Sequence, residues 1–210
     1  MQEKIGICIV GDGNLKQYNF VKDNLVNTTK CDITIYYNEV KDNYTDYINE
    51  LISQVTEEYC VIFPINALVD FNWCEDLLHN IKTANNPGIV GIRHSNNNLS
   101  LIPILFDEEL KNVWVDENNF INGLMMFRRD VLTSDFGMFE NVFENTGYES
   151  SCFSTKFFLT GLNNFYIRQQ TFIPIETENK ILFPEKTKEG FKLLNEFIKS
   201  NLKNKRKLGL

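Results

Sequence analysis

The strongest constraint on the fold is an alternation packed into the first 64 residues. Lys4 to Val10 (KIGICIV) is a short apolar run stopped by Gly11-Asp12-Gly13-Asn14, the pattern of a buried strand that opens into a loop. Tyr18 to Val26 then places Phe20, Val21, Leu25 and Val26 at helical spacing. Asp32 to Tyr37 (DITIYY) is β-branched and aromatic, which reads as a second strand. Tyr44, Tyr47, Ile48, Leu51, Ile52 and Val55 form one face of period 3.6, and an apolar strand follows from Glu58 to Phe63. Such alternation predicts a parallel sheet with helices on its faces. Ligands of such sheets bind beyond the carboxyl ends of the strands, so a site is expected at the loops Gly11–Asn14, Tyr37–Asn43 and Pro64–Asp70.

The second half is less regular. A helix is expected over Trp73 to Thr83 and short strands at Gly88–Arg93, Ile102–Phe106, Val113–Val115 and Gly123–Arg128, some of them antiparallel. Ser150 to Leu159 reads as a helix stopped by Gly161, with a strand after it at Asn164–Arg168. Beyond Pro184, the residues Phe191, Leu194, Phe197, Ile198 and Leu202 make one apolar helical face. The chain divides into a domain over residues 1–180 and a C-terminal amphipathic helix with a basic tail over 181–210.

Composition narrows the function classes. A formal net charge of -7 argues against general binding of nucleic acid, which needs a basic surface. The exception is the run from Lys199 to Lys207, which is either a solvated helix end, where cations suit the dipole, or a peripheral contact with an anionic membrane. The five cysteines are odd in number and none stand at CxxC spacing, as expected of reduced, mostly buried thiols. No apolar stretch reaches the 18 to 20 or so residues needed to cross a bilayer, and the N-terminal residues have no signal-peptide pattern. The expectation is a cytoplasmic protein. A P-loop is excluded, Gly11-Asp12-Gly13 lacks the later glycine of a dinucleotide fingerprint, and His79 and His94 have no partners at zinc spacing.

Taken in order, the motifs resemble those of the GT-A glycosyltransferases, and the large family 2 group among them, from Lys4 to about Pro174. The family opens with an apolar strand and a turn ending in Asn, matched by ICIVGDGN with Asn14. Its second strand normally ends in Asp, where this chain offers Tyr37, Asn38 and Glu39. Its third runs into Asp-x-Asp with a Trp seven residues on; here Trp73 keeps that spacing from Asn66, but the acidic positions hold Pro64 and Asn66. Downstream, NGLMMFRRDVL, FGMFENVF and GYESSCFSTKFFLTGL align Gly123, Arg128, Arg129, Phe139, Glu140, Phe143, Glu149 and Gly161 with the family's order. A nucleotidyltransferase of similar architecture would carry a Gly-rich, Lys- or Arg-bearing first loop, which is absent.

The resemblance implies an α/β GT-A-like mixed sheet flanked by helices, a nucleotide-sugar donor and a glycan, lipid-linked or protein acceptor. It implies Glu149 as general base, with Ser150 and Cys152 replacing the family's acids, and transfer with inversion. Asp12, Asn14, Asn38 and Asn66 would line the donor site. A divalent cation, Mn or Mg, would fall to Asn66, which brings an oxygen but no charge. Each residue has a plainer reading: Glu149 as a first-turn helix acid, Asn66 as a turn former, Asp12 as part of a tight turn, and Trp73 as core. Arg128 and Arg129 are open between phosphate contact and ordinary surface pairing, and Trp114 is undecided. Cys152 has no histidine placed to activate it. The loss of acidic positions leaves a second function open, a catalytically inactive glycosyltransferase-like binding or scaffold protein.

Overall fold

The computed structural model describes residues 3–11, 14–38, 43–94, 121, 123–132, 138–144, 149–175 and 184–208. The strands expected at 102–106 and 113–115, and Trp114 with them, lie outside these residues.

The first half follows the alternation: β1 (Lys4–Val10), α1 (Leu15–Thr28), β2 (Asp32–Tyr36), α2 (Tyr44–Gln54) and β3 (Tyr59–Pro64). β1 pairs in parallel with both β2 and β3. A turn at residues 65 and 66 leads to β4 (Ala67–Val69), which occupies part of the stretch expected as a loop. Next come α3 (Trp73–Thr83), β5 (Pro87–His94), β6 (Met125–Arg128), α4 (Glu149–Leu159), β7 (Asn163–Pro174) and α5 (Pro184–Leu208). The described strands form one sheet in the order β2-β1-β3-β6-β5-β7-β4. β6 runs antiparallel to β3 and β5, and β4 antiparallel to β7, so the sheet is mixed.

Two apolar layers hold this sheet. On one face, Val21 and Leu25 of α1 and Trp73 and Leu77 of α3 pack on Ile5, Ile7, Ile9, Val61 and Phe63. On the other, Tyr47, Ile48 and Leu51 of α2 and Phe153 and Phe157 of α4 pack on Cys8, Cys60, Ile62, Ile89 and Phe127. Each of these buried apolar side chains contributes about 1.5–3 kcal/mol relative to exposure. α5 rests against the body through Leu194 and Ile198, which cluster with Phe143 and Cys152.

Local chemistry sets the element ends. Asn14 caps α1 by accepting from the Gln17 N–H at 2.9 Å, and Asn43 caps α2 by accepting from the Asp46 N–H at 2.9 Å. α4 stops at Gly161 with φ +89°, where the N–H groups of Gly161 and Leu162 donate to the carbonyls of Phe158 and Phe157. The edge strand β4 is blocked by Asn24, whose amide donates to the Val69 carbonyl at 3.1 Å and accepts from the Val69 N–H at 3.0 Å. That contact hides backbone groups which would otherwise pair with another chain.

Candidate active site at the carboxyl edge of the sheet

Strand direction assembles the site. Because β1, β2 and β3 are parallel and in register, with Cys8 opposite Tyr36 and Val10 opposite Pro64, their following loops emerge at one edge. Asn38 follows β2 by two residues and Asn66 follows β3 by two, with β1 and Asn14 between them. These three expected donor-site residues therefore share that edge; Asp12 lies outside the described residues.

The loops are tied to one another. The Ile65 N–H extends the β1–β3 ladder by donating to the Val10 carbonyl at 2.8 Å, and Gln17 Nε2 donates to the Ile65 carbonyl at 3.3 Å. Gly11 adopts φ +130°, and a Cβ there would meet Ile65 Cγ2 at 2.8 Å. Glycine is required for both reasons. The Asn66 carbonyl accepts from the Ile175 N–H at 2.6 Å, which joins the turn to the end of β7. On the opposite face Tyr47 Oη donates to the carbonyls of Asn38, at 2.9 Å, and Ile9, at 3.1 Å.

The amino end of α4 reaches the same edge. α4 descends to the Gly161 turn, after which Asn163 donates its N–H to the Asn86 carbonyl at 2.9 Å, at the far edge of the sheet. Partway along the helix Ser154 Oγ accepts from the Ile121 N–H at 3.1 Å. Glu149 precedes Ser154 by five residues, which carries it about 7–8 Å further toward the carboxyl edge. Its side chain is half-buried in the first turn of α4.

The motif residues between β6 and α4 have structural roles. The Asn49 amide donates to the Phe139 carbonyl at 3.0 Å and accepts its N–H at 2.9 Å. Phe139 stacks on Phe153 with centroids 4.4 Å apart, and Lys156 reaches both the Met138 carbonyl and the Glu140 carboxylate. Glu144 accepts from the backbone N–H groups of Tyr44 and Thr45 at 2.9 and 2.8 Å, and from the Thr45 hydroxyl, which places its charge on the positive end of α2.

Several residues weighed from sequence have other positions. Arg128 and Arg129 are at the opposite edge, because β6 runs antiparallel and pairs Arg128 with Tyr59. Arg128 binds Asp130, and Arg129 Nη1 donates to the Val55 carbonyl at 3.3 Å. Trp73 is fully buried and meets Phe63 edge-on at 5.5 Å. Burial pushes the Cys152 thiol up to about 12, which makes it an inert core group. Asp70, the last residue of the loop expected over Pro64–Asp70, follows β4 as that strand leads away from the Asn66 turn.

The donor set at the turn does not fit a hard divalent cation. Pro64 has no side-chain ligand atom, Asn66 offers only a neutral amide oxygen, and the Asn66 backbone carbonyl is engaged by the Ile175 N–H. Among the described residues no group of three or more His, Cys, Asp or Glu could hold a metal ion. Sequence reading missed one feature of this edge. The rings of Tyr18, in the first turn of α1, and Tyr37, just past β2, stack with centroids 4.1 Å apart and planes 16° from parallel.

In sequence, the chain matches no protein-family model and no curated protein. Its fold is similar to that of a Drosophila β1,4-galactosyltransferase 7 variant in complex with manganese, UDP-Gal and xylobiose, with a TM-score of 0.55 at 13% identity over 83% of this chain and 71% of that one. It is similar to the mannosyltransferase PcManGT from Pyrobaculum calidifontis with GDP-Man and Mn2+, with a TM-score of 0.60 at 13% identity over 85% and 59% of the two chains. It is also similar to GalNAc-T7 with UDP, GalNAc and Mn2+, with a TM-score of 0.66 at 9% identity over 93% of this chain. The chain spans less than two thirds of the mannosyltransferase and 48% of GalNAc-T7. No helix among the described residues is long and apolar enough to cross a membrane. The mixed sheet, its helical layers and these likenesses agree: the chain has the GT-A fold of glycosyltransferases.

Proposed function

We propose that this protein transfers a sugar from a nucleotide diphosphate donor to an acceptor hydroxyl, with inversion at the anomeric carbon. The observation that supports the reading is the parallel register of β1, β2 and β3, which sends the segments carrying Asn14, Asn38 and Asn66 to the carboxyl edge of a GT-A sheet, the edge toward which the amino end of α4 with Glu149 runs. The three structural neighbours were crystallised with UDP-Gal, GDP-Man, or UDP with GalNAc. In the proposed step the acceptor oxygen attacks the anomeric carbon while Glu149 takes its proton. The bond from that carbon to the diphosphate oxygen breaks, and the nucleoside diphosphate leaves. Asn38 and Asn66 line the donor, and Asn14 holds the start of α1 beside it. The neighbours contain manganese, but the Pro64-Ile65-Asn66 turn suits a donor held without one, and no step is assigned to a metal.

The test is a titration of UDP, GDP and CMP with and without manganese, followed by sugar-nucleotide turnover for wild type and Glu149→Gln. Binding, with turnover that falls at least a hundredfold in the variant, is the expected result. Binding without turnover by the wild type would point to a catalytically silent relative. Failure of all three nucleotides to bind would remove the donor site.

A further inference from the structure

Two of the five cysteines stand against each other where the chain leaves α1 for β2 and where α3 begins. Cys31 immediately precedes β2, whose first residue Asp32 pairs with Lys4, so it belongs to the amino edge of the sheet, opposite the candidate site. Cys74 is the second residue of α3 and is fully buried. The two segments are tied on both sides of the pair. The Asn72 N–H donates to the Thr28 carbonyl at 2.8 Å, and the Glu75 carboxylate accepts from the Thr29 hydroxyl at 2.8 Å and the Cys31 N–H at 2.9 Å. Between these ties the Cys74 thiol donates to the Cys31 sulfur, and Cys31 packs on the apolar layer that contains Cys74. Cys31 is half-buried, whereas Cys8, Cys60, Cys74 and Cys152 are buried, so the pair joins the cysteine nearest solvent to one in the core.

We propose that Cys31 and Cys74 form a peroxide-sensitive dithiol, an oxidation site at the edge of the sheet remote from the donor loops. The proposal does not depend on the donor-site reading. In the first step the Cys31 sulfur attacks one oxygen of a peroxide and the O–O bond breaks. With hydrogen peroxide, hydroxide leaves, takes up the proton that Cys31 gave up and becomes water, and Cys31 becomes a sulfenic acid. The Cys74 sulfur then attacks the Cys31 sulfur, the S–S bond forms, the S–O bond breaks and a second water leaves. Two thiols are thus oxidised to one disulfide while one peroxide is reduced to two waters. The contact with Cys74 holds the Cys31 thiol below its ordinary range, which raises the fraction present as the attacking thiolate. Cys60 also meets Cys8, but both are buried, and that contact together with burial pushes the Cys60 thiol well up. That pair therefore lacks an attacking thiol within reach of the oxidant.

The experiment exposes native wild type, Cys31→Ser and Cys74→Ala to hydrogen peroxide, then alkylates the free thiols in denaturant and maps them by peptide mass spectrometry. Wild type is expected to lose the thiols of Cys31 and Cys74 alone, to yield a peptide linked through these two residues, and to regain both thiols in dithiothreitol. Cys74→Ala should stop at a Cys31 sulfenic acid that dimedone captures, and Cys31→Ser should keep the Cys74 thiol. The proposal is overturned by a wild type that stays fully reduced. It is equally overturned by Cys31 driven to the sulfinic acid beside a free Cys74, or by Cys31 linked to a different cysteine. Because these readings come from wild type, they decide the matter even where a variant fails to fold.

Discussion

Tyr47, buried on α2, donates its phenolic hydrogen to the carbonyl of Asn38 at 2.9 Å, so a helix on one face of the sheet fixes a loop at its edge. The same oxygen lies 3.1 Å from the Ile9 carbonyl, and the two strand ends are joined through one hydroxyl. Tyr47→Phe keeps the ring and deletes the only hydrogen these contacts share. Leaving buried carbonyls short of a donor costs about 1–3 kcal/mol, which urea unfolding should register as a lower midpoint at unchanged slope. Nucleotide affinity should fall as well, since the loop carrying Asn38 loses its anchor. An unchanged midpoint would show that the hydroxyl is dispensable to the fold.

A second tie joins β2 to α3 through the Glu75 carboxylate, which accepts from the Cys31 N–H at 2.9 Å, the Thr29 hydroxyl at 2.8 Å and the Lys30 N–H. Burial disfavours its charge, but these donors outweigh burial and hold the carboxyl below its usual range. A carboxyl lowered by folding stabilises the native state above its unfolded value of about 4.3, and that contribution is lost as pH falls through the folded value. Glu75→Gln should therefore be less stable than wild type by about 1–2 kcal/mol at neutral pH. The gap should narrow as pH drops from about 5 toward 2–3. Thermal unfolding of both proteins across that range is the measurement, and a gap that widens in acid would contradict the assignment.

The sequence made the first five elements legible because each apolar run ends at a residue that stops it: β1 at Gly11, β3 near Pro64. It predicts antiparallel strands in the second half without saying which, and β6 is one of them. That direction is what puts Arg128 and Arg129 at the edge opposite the candidate site. β4, three residues long, offers no period to read. β7 runs on to Pro174, past Arg168 where the expected strand ends, and its Gln170 is buried where its amide reaches the Phe71 carbonyl and Asp76. The Tyr18–Tyr37 stack was hidden for a related reason: it depends on the register of β1 against β2, which no local pattern encodes. Asn14, Asn38 and Asn66 stand in an ordered motif series, and the parallel pairing of β1, β2 and β3 is what puts the segments that carry them along one edge.

Thiol chemistry separates the five cysteines. Cys31 is half-buried and accepts a hydrogen bond from Cys74, which lowers its thiol below the ordinary range, while Cys74 itself is raised by that contact and by burial. Cys152 is pushed up to about 12 by burial. Because the thiolate is the reactive form, iodoacetamide at pH 7.5 should alkylate Cys31 first. Cys8, Cys60, Cys74 and Cys152 should react only after denaturation. Peptide mass spectrometry against time reads the order, and early labelling of Cys152 would mean that α4 opens in the native state.

Gly11 offers the most direct test of the loop that leads into the site. Its φ of +130° lies where side chains are strained, and an added Cβ would come within 2.8 Å of Ile65 Cγ2. Ile65 cannot withdraw easily, because its N–H is held by the Val10 carbonyl and its own carbonyl by Gln17. Gly11→Ala should thus cost about 1–3 kcal/mol in stability from the backbone conformation alone, and Gly11→Val more. If the turn carrying Asn66 and the start of α1 form one surface for the donor, nucleotide binding in Gly11→Ala should weaken under conditions where the protein remains fully folded. Ile65→Ala clears the clash but not the strain and, Ile65 being buried, is destabilising by itself, so Gly11→Ala should cost less in the Ile65→Ala background than in wild type. A cost that vanishes in that background would assign it to packing, an undiminished cost would assign it to backbone conformation, and wild-type stability in the single variant would refute both.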